Sequence, residues 1–184
     1  MTASATPAPI TTARLTLRAP QRSDAHLIAA LLTSDICTCI AGWDWPVSVQ
    51  DADASLQVCL EEDARGHSRS FVICDTISGA PLGWLRLFLT PNASELAYWI
   101  GEDHQGKGYA TEAITAAIRY AFDSLNTAAV TAGLYAGNHA SLGLLTKLGF
   151  APLAPGSVLA TQRDECSGCD YLHLPRPIAE PDEA

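Results

Sequence analysis

Residues 100–113, IGEDHQGKGYATEA, set glycines on both sides of a lysine, between a strand-like run and a helix-forming one. A loop of that kind cradles phosphate, because small residues let successive backbone N–H groups converge and a helix N-terminus adds positive potential. Spacing decides which phosphate. Gly101, Gly106 and Lys107 satisfy G-x-x-x-x-G-K, the start of a nucleoside-triphosphate loop, but the next position, where a hydroxyl must hold magnesium, is Gly108. A dinucleotide loop needs G-x-G-x-x-G after the first strand of a parallel sheet. Here the last position is Thr111 and the loop follows a fourth strand. What remains is Gln105-x-x-Gly108-x-Ala110, running directly into a helix.

A second motif, NHASLGLLTKLGF at residues 138–150, follows the next strand. Together the two resemble, in order and separation, the Q-x-x-G-x-A and N-x-x-[AS]-x-x-L-x-x-K-x-G-F segments of the GNAT superfamily of acyl-CoA-dependent N-acetyltransferases. TTARLTLRAPQRSDAHLIAALL, LGWLRL and ELAYWIGEDHQGKGYATEA further resemble the RimJ/RimL type of ribosomal-protein N-terminal acetyltransferase, over roughly Ala13 to Phe150. The chain departs at Ala97, often glycine in that subgroup, and at Gln105, where an aromatic residue is common. The resemblance implies an α/β (α+β) GNAT fold: a twisted, mixed, mostly antiparallel sheet splayed between its fourth and fifth strands, with helices on both faces. It implies acetyl-CoA as co-substrate. Its pyrophosphate would lie on Gln105, Gly106, Lys107, Gly108, Tyr109, Ala110 and Thr111. Its pantetheine arm would lie along Tyr98, Trp99 and Ile100 and against Asn138. Taken singly, Asn138 reads equally well as a helix cap.

The implied chemistry needs a proton acceptor, since an ammonium group cannot attack a thioester. Glu95 is the carboxylate of the fourth strand and alternates onto one face with Ala97 and Trp99. A glutamate at this place is the base candidate of the RimJ/RimL-like pattern; the bland reading is an exposed residue at a strand start. The leaving thiolate wants a donor. Many superfamily members use a tyrosine seven residues after the motif asparagine, where this chain has Leu145; Ser141 is the hydroxyl left, and the subgroup resemblance also points to it. A mid-helix serine otherwise bonds back to its own helix. Trp43, Asp44 and Trp45 of AGWDWP lie where the superfamily lines its acceptor site, and could stack on a cationic or planar amine, or form a hydrophobic lid or dimer surface.

The elements that must position these groups follow from periodicity. ARLTLRAP alternates as a first strand, and Ser23 caps the amphipathic DAHLIAALLT. DICTCIAGWDWPVS reads as irregular. Ser48 and Asp51 form a capping box for a helix reaching about Ala64. RSFVICDTISGAPLGWLRLFL is a hairpin, and SELAYWIG the fourth strand. Ala110, Ile114, Ala117, Ile118, Ala121 and Leu125 make a helical stripe. AAVTAGLYA is a strand, NHASLGLLTKLGF a helix ending at Gly149, and DYLHLP a last strand. A single domain over 1–184 is expected, with 1–12 and 176–184 flexible.

At 184 residues, 48% apolar and 17% charged, the chain has the composition of a soluble globular domain. A net charge of −9 argues against nucleic-acid or membrane partners and leaves an amine-bearing acceptor, small molecule or protein N-terminus, as the expected partner, with the protein monomeric or homodimeric. The N-terminus lacks a secretory pattern, which makes the expected location cytoplasmic. Cys37-x-Cys39 and Cys166-x-x-Cys169 offer four thiolates, but without ribbon spacing on both sides; free, reduced cysteines and no metal are expected, with Cys59 and Cys74 standing alone. Two other classes remain: a non-catalytic acyl-CoA-binding sensor or interaction module, and a small cysteine-ligated metal protein.

Overall fold

Leu15 and Leu17 alternate with Thr16 and Arg18, and both leucines are buried. In the computed structural model, which describes residues 8–154 and 169–177, this run is β2 (Leu15–Arg18), paired antiparallel with a two-residue β1 (Ile10–Thr11). Part of the N-terminal segment expected to be flexible is therefore a strand. The turn into α1 (Ala25–Leu31) is closed by Asp24 rather than by Ser23. The Asp24 carboxylate accepts the Gln21 N–H at 2.7 Å and two Arg18 guanidinium bonds at 2.9 and 2.8 Å, so it is buried yet satisfied. That partner pushes the Arg18 guanidinium above its ordinary value.

The DICTC stretch, read as irregular, contains α2 (Ser34–Cys39), whose first turn is capped by Thr33. The Ser48–Asp51 box opens α3 (Val49–Arg65), with Asp51 Oδ2 accepting the Ser48 N–H at 3.0 Å. The hairpin is β3 (Ser68–Asp75) and β4 (Pro81–Leu89); β5 (Ser94–Ile100) pairs antiparallel with β4 along its whole length. α4 (Tyr109–Asp123) carries the chain across to β6 (Ala129–Tyr135), which lies parallel to β5, as such a pairing requires a crossover. α5 (His139–Lys147), β7 (Ala151–Pro152) and β8 (Cys169–Pro175) complete the order β1-β2-β3-β4-β5-β6-β8-β7.

Period-two alternation assigns the two faces. Leu85, Leu87 and Leu96 point to the side covered by α4 and α5, where Ala113, Ile114, Ala117 and Ala121 are buried. Three small alanines, Ala113, Ala117 and Ala121, let α4 lie close to the sheet; of the stripe read from sequence Ile114, Ala117 and Ala121 are buried, while Ala110, Ile118 and Leu125 are only partly so. Trp84 and Trp99 point to the opposite side and pack with Ile28, Ile36 and Leu56 of α1, α2 and α3. Among the described residues no helix is long and apolar enough to cross a membrane.

Candidate active site

The sheet opens at one place. β5 and β6 pair only at Ser94↔Val130 and Glu95↔Thr131, whereas β6 continues fully paired with β8. Beyond Glu95 the outer backbone edge of β5 therefore faces a gap, with N–H and C=O groups available to an extended ligand. The gap belongs to a cavity of about 1120 Å³, lined on the β5 side by Glu95, Ala97, Tyr98, Trp99 and Ile100. Glu95 is only 5% exposed and stands at the vertex where the strands part. It is not the exposed strand-start residue of the bland reading.

At the far end of β5 the phosphate-like loop turns into α4. Gln105 Nε2 donates to the Ile100 carbonyl at 2.9 Å, so this side chain stitches the loop to the strand. Gly106 and Gly108 hold φ of +71° and +81°, the left-handed region that side chains disfavour. Gly108 is the N-cap of α4 and offers no side-chain cap, which leaves the first-turn amides to an outside acceptor. Gly106, Gly108, Tyr109, Ala110 and Thr111 line the cavity. The Lys107 side chain turns away, its Nζ donating to the Asp103 carbonyl at 2.6 Å.

A clamp that the sequence reading did not anticipate fixes this loop. Arg14 Nη1 donates to the Lys107 carbonyl at 3.0 Å, its Nε pairs with Glu112 at 2.7 Å, and its guanidinium lies 4.8 Å over the Tyr109 ring. Glu112 also accepts the Thr12 hydroxyl and the Arg14 N–H. Burial alone would raise the Glu112 carboxyl, but these hydrogen bonds and the Arg14 charge outweigh it and hold it below its ordinary value. A carboxylate depressed in the folded state stabilises above its unfolded pKa and loses that contribution as pH falls through the folded one. Glu112→Gln is accordingly expected to lower Tm at pH 7 and to converge with wild type in acid, below the ordinary carboxylate range. An undiminished difference in acid would contradict the clamp's electrostatic character.

Across the gap, α5 begins at Asn138, whose Oδ1 accepts the Ser141 N–H at 3.1 Å. Asn138 is thus the helix cap of its bland reading, and it also lines the cavity, with its amide nitrogen still available. Ser141 lines the cavity too, while Leu145 is fully buried in the core. Burial raises the Tyr98 phenol above its ordinary value, and the neighbouring Ser141 hydroxyl opposes the shift.

The third wall comes from α2, α3 and β4: Asp35, Cys39, Ile40, Leu56, Cys59 and Arg86 contribute, together with Trp43. Of Trp43, Asp44 and Trp45 only Trp43 lines the cavity, next to Ala41 and Gly42. Asp44 and Trp45 do not line it, and Trp45 is 53% exposed, because the chain leaves the cavity rim after Trp43 toward the start of α3. The α2 contribution escaped the sequence reading because six residues are too few to show a helical period; the Thr33 cap was its one signal.

Cys37, Cys39, Cys59 and Cys74 are free thiols, and burial pushes Cys37, Cys59 and Cys74 up from their ordinary value. Cys169 is disulfide-bonded, which corrects the expectation of reduced cysteines throughout. Cys166 lies outside the described residues. Among the described residues no group of three or more His, Cys, Asp or Glu side chains is placed to hold a metal ion.

Residues 14–151 match the family model described as "Acetyltransferase (GNAT) domain". The chain is 30% identical over 143 residues to the uncharacterized N-acetyltransferase YoaA of Bacillus subtilis (strain 168), covering 76% of this chain and 80% of the relative. Among solved structures it is similar to RimL, the ribosomal L7/L12 alpha-N-protein acetyltransferase, in complex with coenzyme A (TM-score 0.75, 18% identity, 91% of this chain and 98% of that one). It is similar also to the ribosomal-protein-S5-alanine acetyltransferase of Vibrio fischeri (TM-score 0.74, 17% identity, 95% and 100%). At these identities the two structures speak for the fold. With the splayed mixed sheet and the family model in agreement, the chain belongs to the GNAT acetyltransferases, as an acetyl-CoA-dependent N-acetyltransferase.

Proposed function

We propose that the chain transfers an acetyl group from acetyl-CoA to a primary amine by direct attack in a ternary complex. The observation that carries this reading is the buried Glu95 carboxylate at the splay vertex, on the wall of the cavity that also holds the glycine loop and Ser141. The pyrophosphate sits on the loop at the α4 N-terminus, where first-turn amides and the helix dipole meet its charge. The pantetheine arm lies in the gap and pairs with the open edge of β5. The acceptor enters past Trp43 and α2.

Glu95, directly or through one water, takes the proton from the incoming ammonium group. The amine nitrogen then bonds to the thioester carbonyl carbon, and a β5 backbone N–H holds the oxyanion. The C–S bond breaks, the Ser141 hydroxyl donates a hydrogen bond to the departing thiolate, and the second proton of the former amine leaves the nitrogen through solvent, giving the amide and the free thiol. Ser141→Ala is expected to lower kcat by about tenfold or less, since water replaces part of a single hydroxyl. A loss equal to that of a Glu95 variant would contradict this division of roles.

The fold neighbours that act on ribosomal proteins make N-terminal peptides one acceptor class to test, alongside small amines. The test is an acceptor-library screen with acetyl-CoA, following thiol release. Acceptor-dependent release is expected. Tight acetyl-CoA binding with no release on any amine would favour the sensor reading instead.

A further inference from the structure

On the acceptor side of the cavity, one cation has hydrogen-bonding capacity to spare. Arg86 of β4 is paired with Ala97 of β5, which puts it on the sheet face that carries Glu95 and Trp99. Its Nη1 donates to Cys59 Sγ at 3.2 Å and its Nη2 to Ser68 Oγ at 2.9 Å; its Nε is buried without a partner, and its guanidinium lies 4.4 Å from the Phe88 ring centre. A guanidinium offers five N–H donors, so these bonds leave several unused. The ion pairs among the described residues engage Arg14, Arg18, Arg22, Arg65 and His67, with Arg86 in none of them.

A purely structural Arg86 would need an anion nearby. The hydrogen-bonded route to one is indirect: the Ser68 hydroxyl that accepts from Arg86 donates its own hydrogen bond to Asp63, whose carboxylate also accepts the Ser70 N–H at 2.8 Å and the Ser70 hydroxyl at 3.2 Å. Asp63 is thus spent on two serines and reaches Arg86 only at second hand. Its direct hydrogen-bond partners are neutral and Glu95 stands on the diagonal of the strand pairing, so an anion arriving in the cavity would add to the charge compensation of a partly buried cation.

We propose that Arg86 binds an anionic group carried by the acceptor, so that the preferred acceptor is an amine with a carboxylate a few bonds away, as in a free amino acid. The inference rests on the acetyl-transfer reading above and narrows its acceptor. The register sets the spacing. Glu95 lies two residues from Ala97, the partner of Arg86, and diagonal neighbours on paired strands are about 7–8 Å apart. An amine at Glu95 and an anion at Arg86 are therefore separated by about the width of one small molecule. The cavity presents a carboxylate and a guanidinium to the two ends of a zwitterion. A planar carboxylate also matches the guanidinium fork in two parallel bonds. A protein N-terminus has an amide in place of that carboxylate and leaves Arg86 facing a neutral group.

The experiment measures acetyl transfer by wild type, Arg86→Gln and Arg86→Lys against matched amines: free amino acids, their α-carboxamides, the decarboxylated amines and phosphoethanolamine. Acetyl-CoA affinity is measured in parallel by calorimetry. Wild type is expected to favour the free acid over the carboxamide by about 10²-fold in kcat/KM, mostly through KM, as for a partly buried charge pair. Arg86→Gln should erase that preference and Arg86→Lys keep only part of it, with acetyl-CoA affinity unchanged in both. If Arg86→Gln fails to fold, the Arg86→Lys ratio decides, and a ratio equal to wild type overturns the inference. So does equal use of acid and carboxamide by wild type, an unchanged preference in Arg86→Gln, selective use of phosphoethanolamine, or no transfer to any of these amines. Failure of wild type to bind acetyl-CoA would instead overturn the proposed function itself.

Discussion

Replacing Glu95 by glutamine is expected to lower kcat by about 10²–10⁴-fold, the usual contribution of general-base assistance, while acetyl-CoA affinity stays near wild type. The two quantities separate because Glu95 stands at the splay vertex, whereas the proposed cofactor contacts are backbone edge and loop amides. Glutamine keeps the volume of the buried side chain, while it removes the charge and the proton affinity and replaces one acceptor oxygen by an NH2 donor. Raising the pH should partly rescue the variant, since a larger share of the acceptor amine is then already neutral. Wild-type kcat in Glu95→Gln, at saturating acetyl-CoA with a true acceptor, would make Glu95 structural and leave catalysis to positioning and solvent.

Gly108→Val is the second large effect, and it falls on binding instead of turnover. At φ +81° a residue with a Cβ is strained by roughly 1–2 kcal/mol, and a Cβ at this position would lie 3.4 Å from Arg14 Nη2, against the clamp that holds the loop. The loop can relieve the strain only by moving its amides off the proposed pyrophosphate position. Losing two hydrogen bonds to a charged group costs about 3–6 kcal/mol, so acetyl-CoA affinity should fall by at least about 10²-fold. The buried core is formed without Gly108, and the variant should remain folded. A folded Gly108→Val protein with wild-type affinity would remove the pyrophosphate assignment.

Those two positions were legible in the sequence because each carries its signal locally. Gly108 stands in a spaced motif at a helix start, and Glu95 on a strand whose alternation is plain. The β3–β4 hairpin, the α3 capping box and the crossover through α4 were legible for the same reason, as period and turn chemistry. The opening between β5 and β6 was not in the pattern; it came from the family resemblance, and in the structure it appears as a parallel pairing that stops after Glu95↔Thr131. Short elements escaped: β1 has two residues and α2 six, too few to repeat a period. Ser23 was the expected cap, yet the buried Asp24 closes that turn, because Arg18 on the neighbouring strand compensates its charge. Arg14 and Arg86 were invisible for a related reason. Arg14 acts on Glu112, 98 positions away, and Arg86 acquires its place only when β4 pairs with β5 under α3. Of the tryptophans, composition marked Trp43 and Trp45 equally, and only the path of the loop distinguishes them.

The central claim is that the cavity between β5 and β6 brings acetyl-CoA and an amine together at Glu95. The measurement that tests it most directly follows both products of one reaction: free thiol from acetyl-CoA, and the acceptor's mass by mass spectrometry, for wild type and Glu95→Gln. Wild type is expected to gain one acetyl group on the acceptor nitrogen per thiol released, and Glu95→Gln to release thiol at least about 10²-fold more slowly with the same one-to-one ratio. Thiol release that is independent of any amine, or acceptor acetylation that proceeds equally fast in the variant, would contradict it.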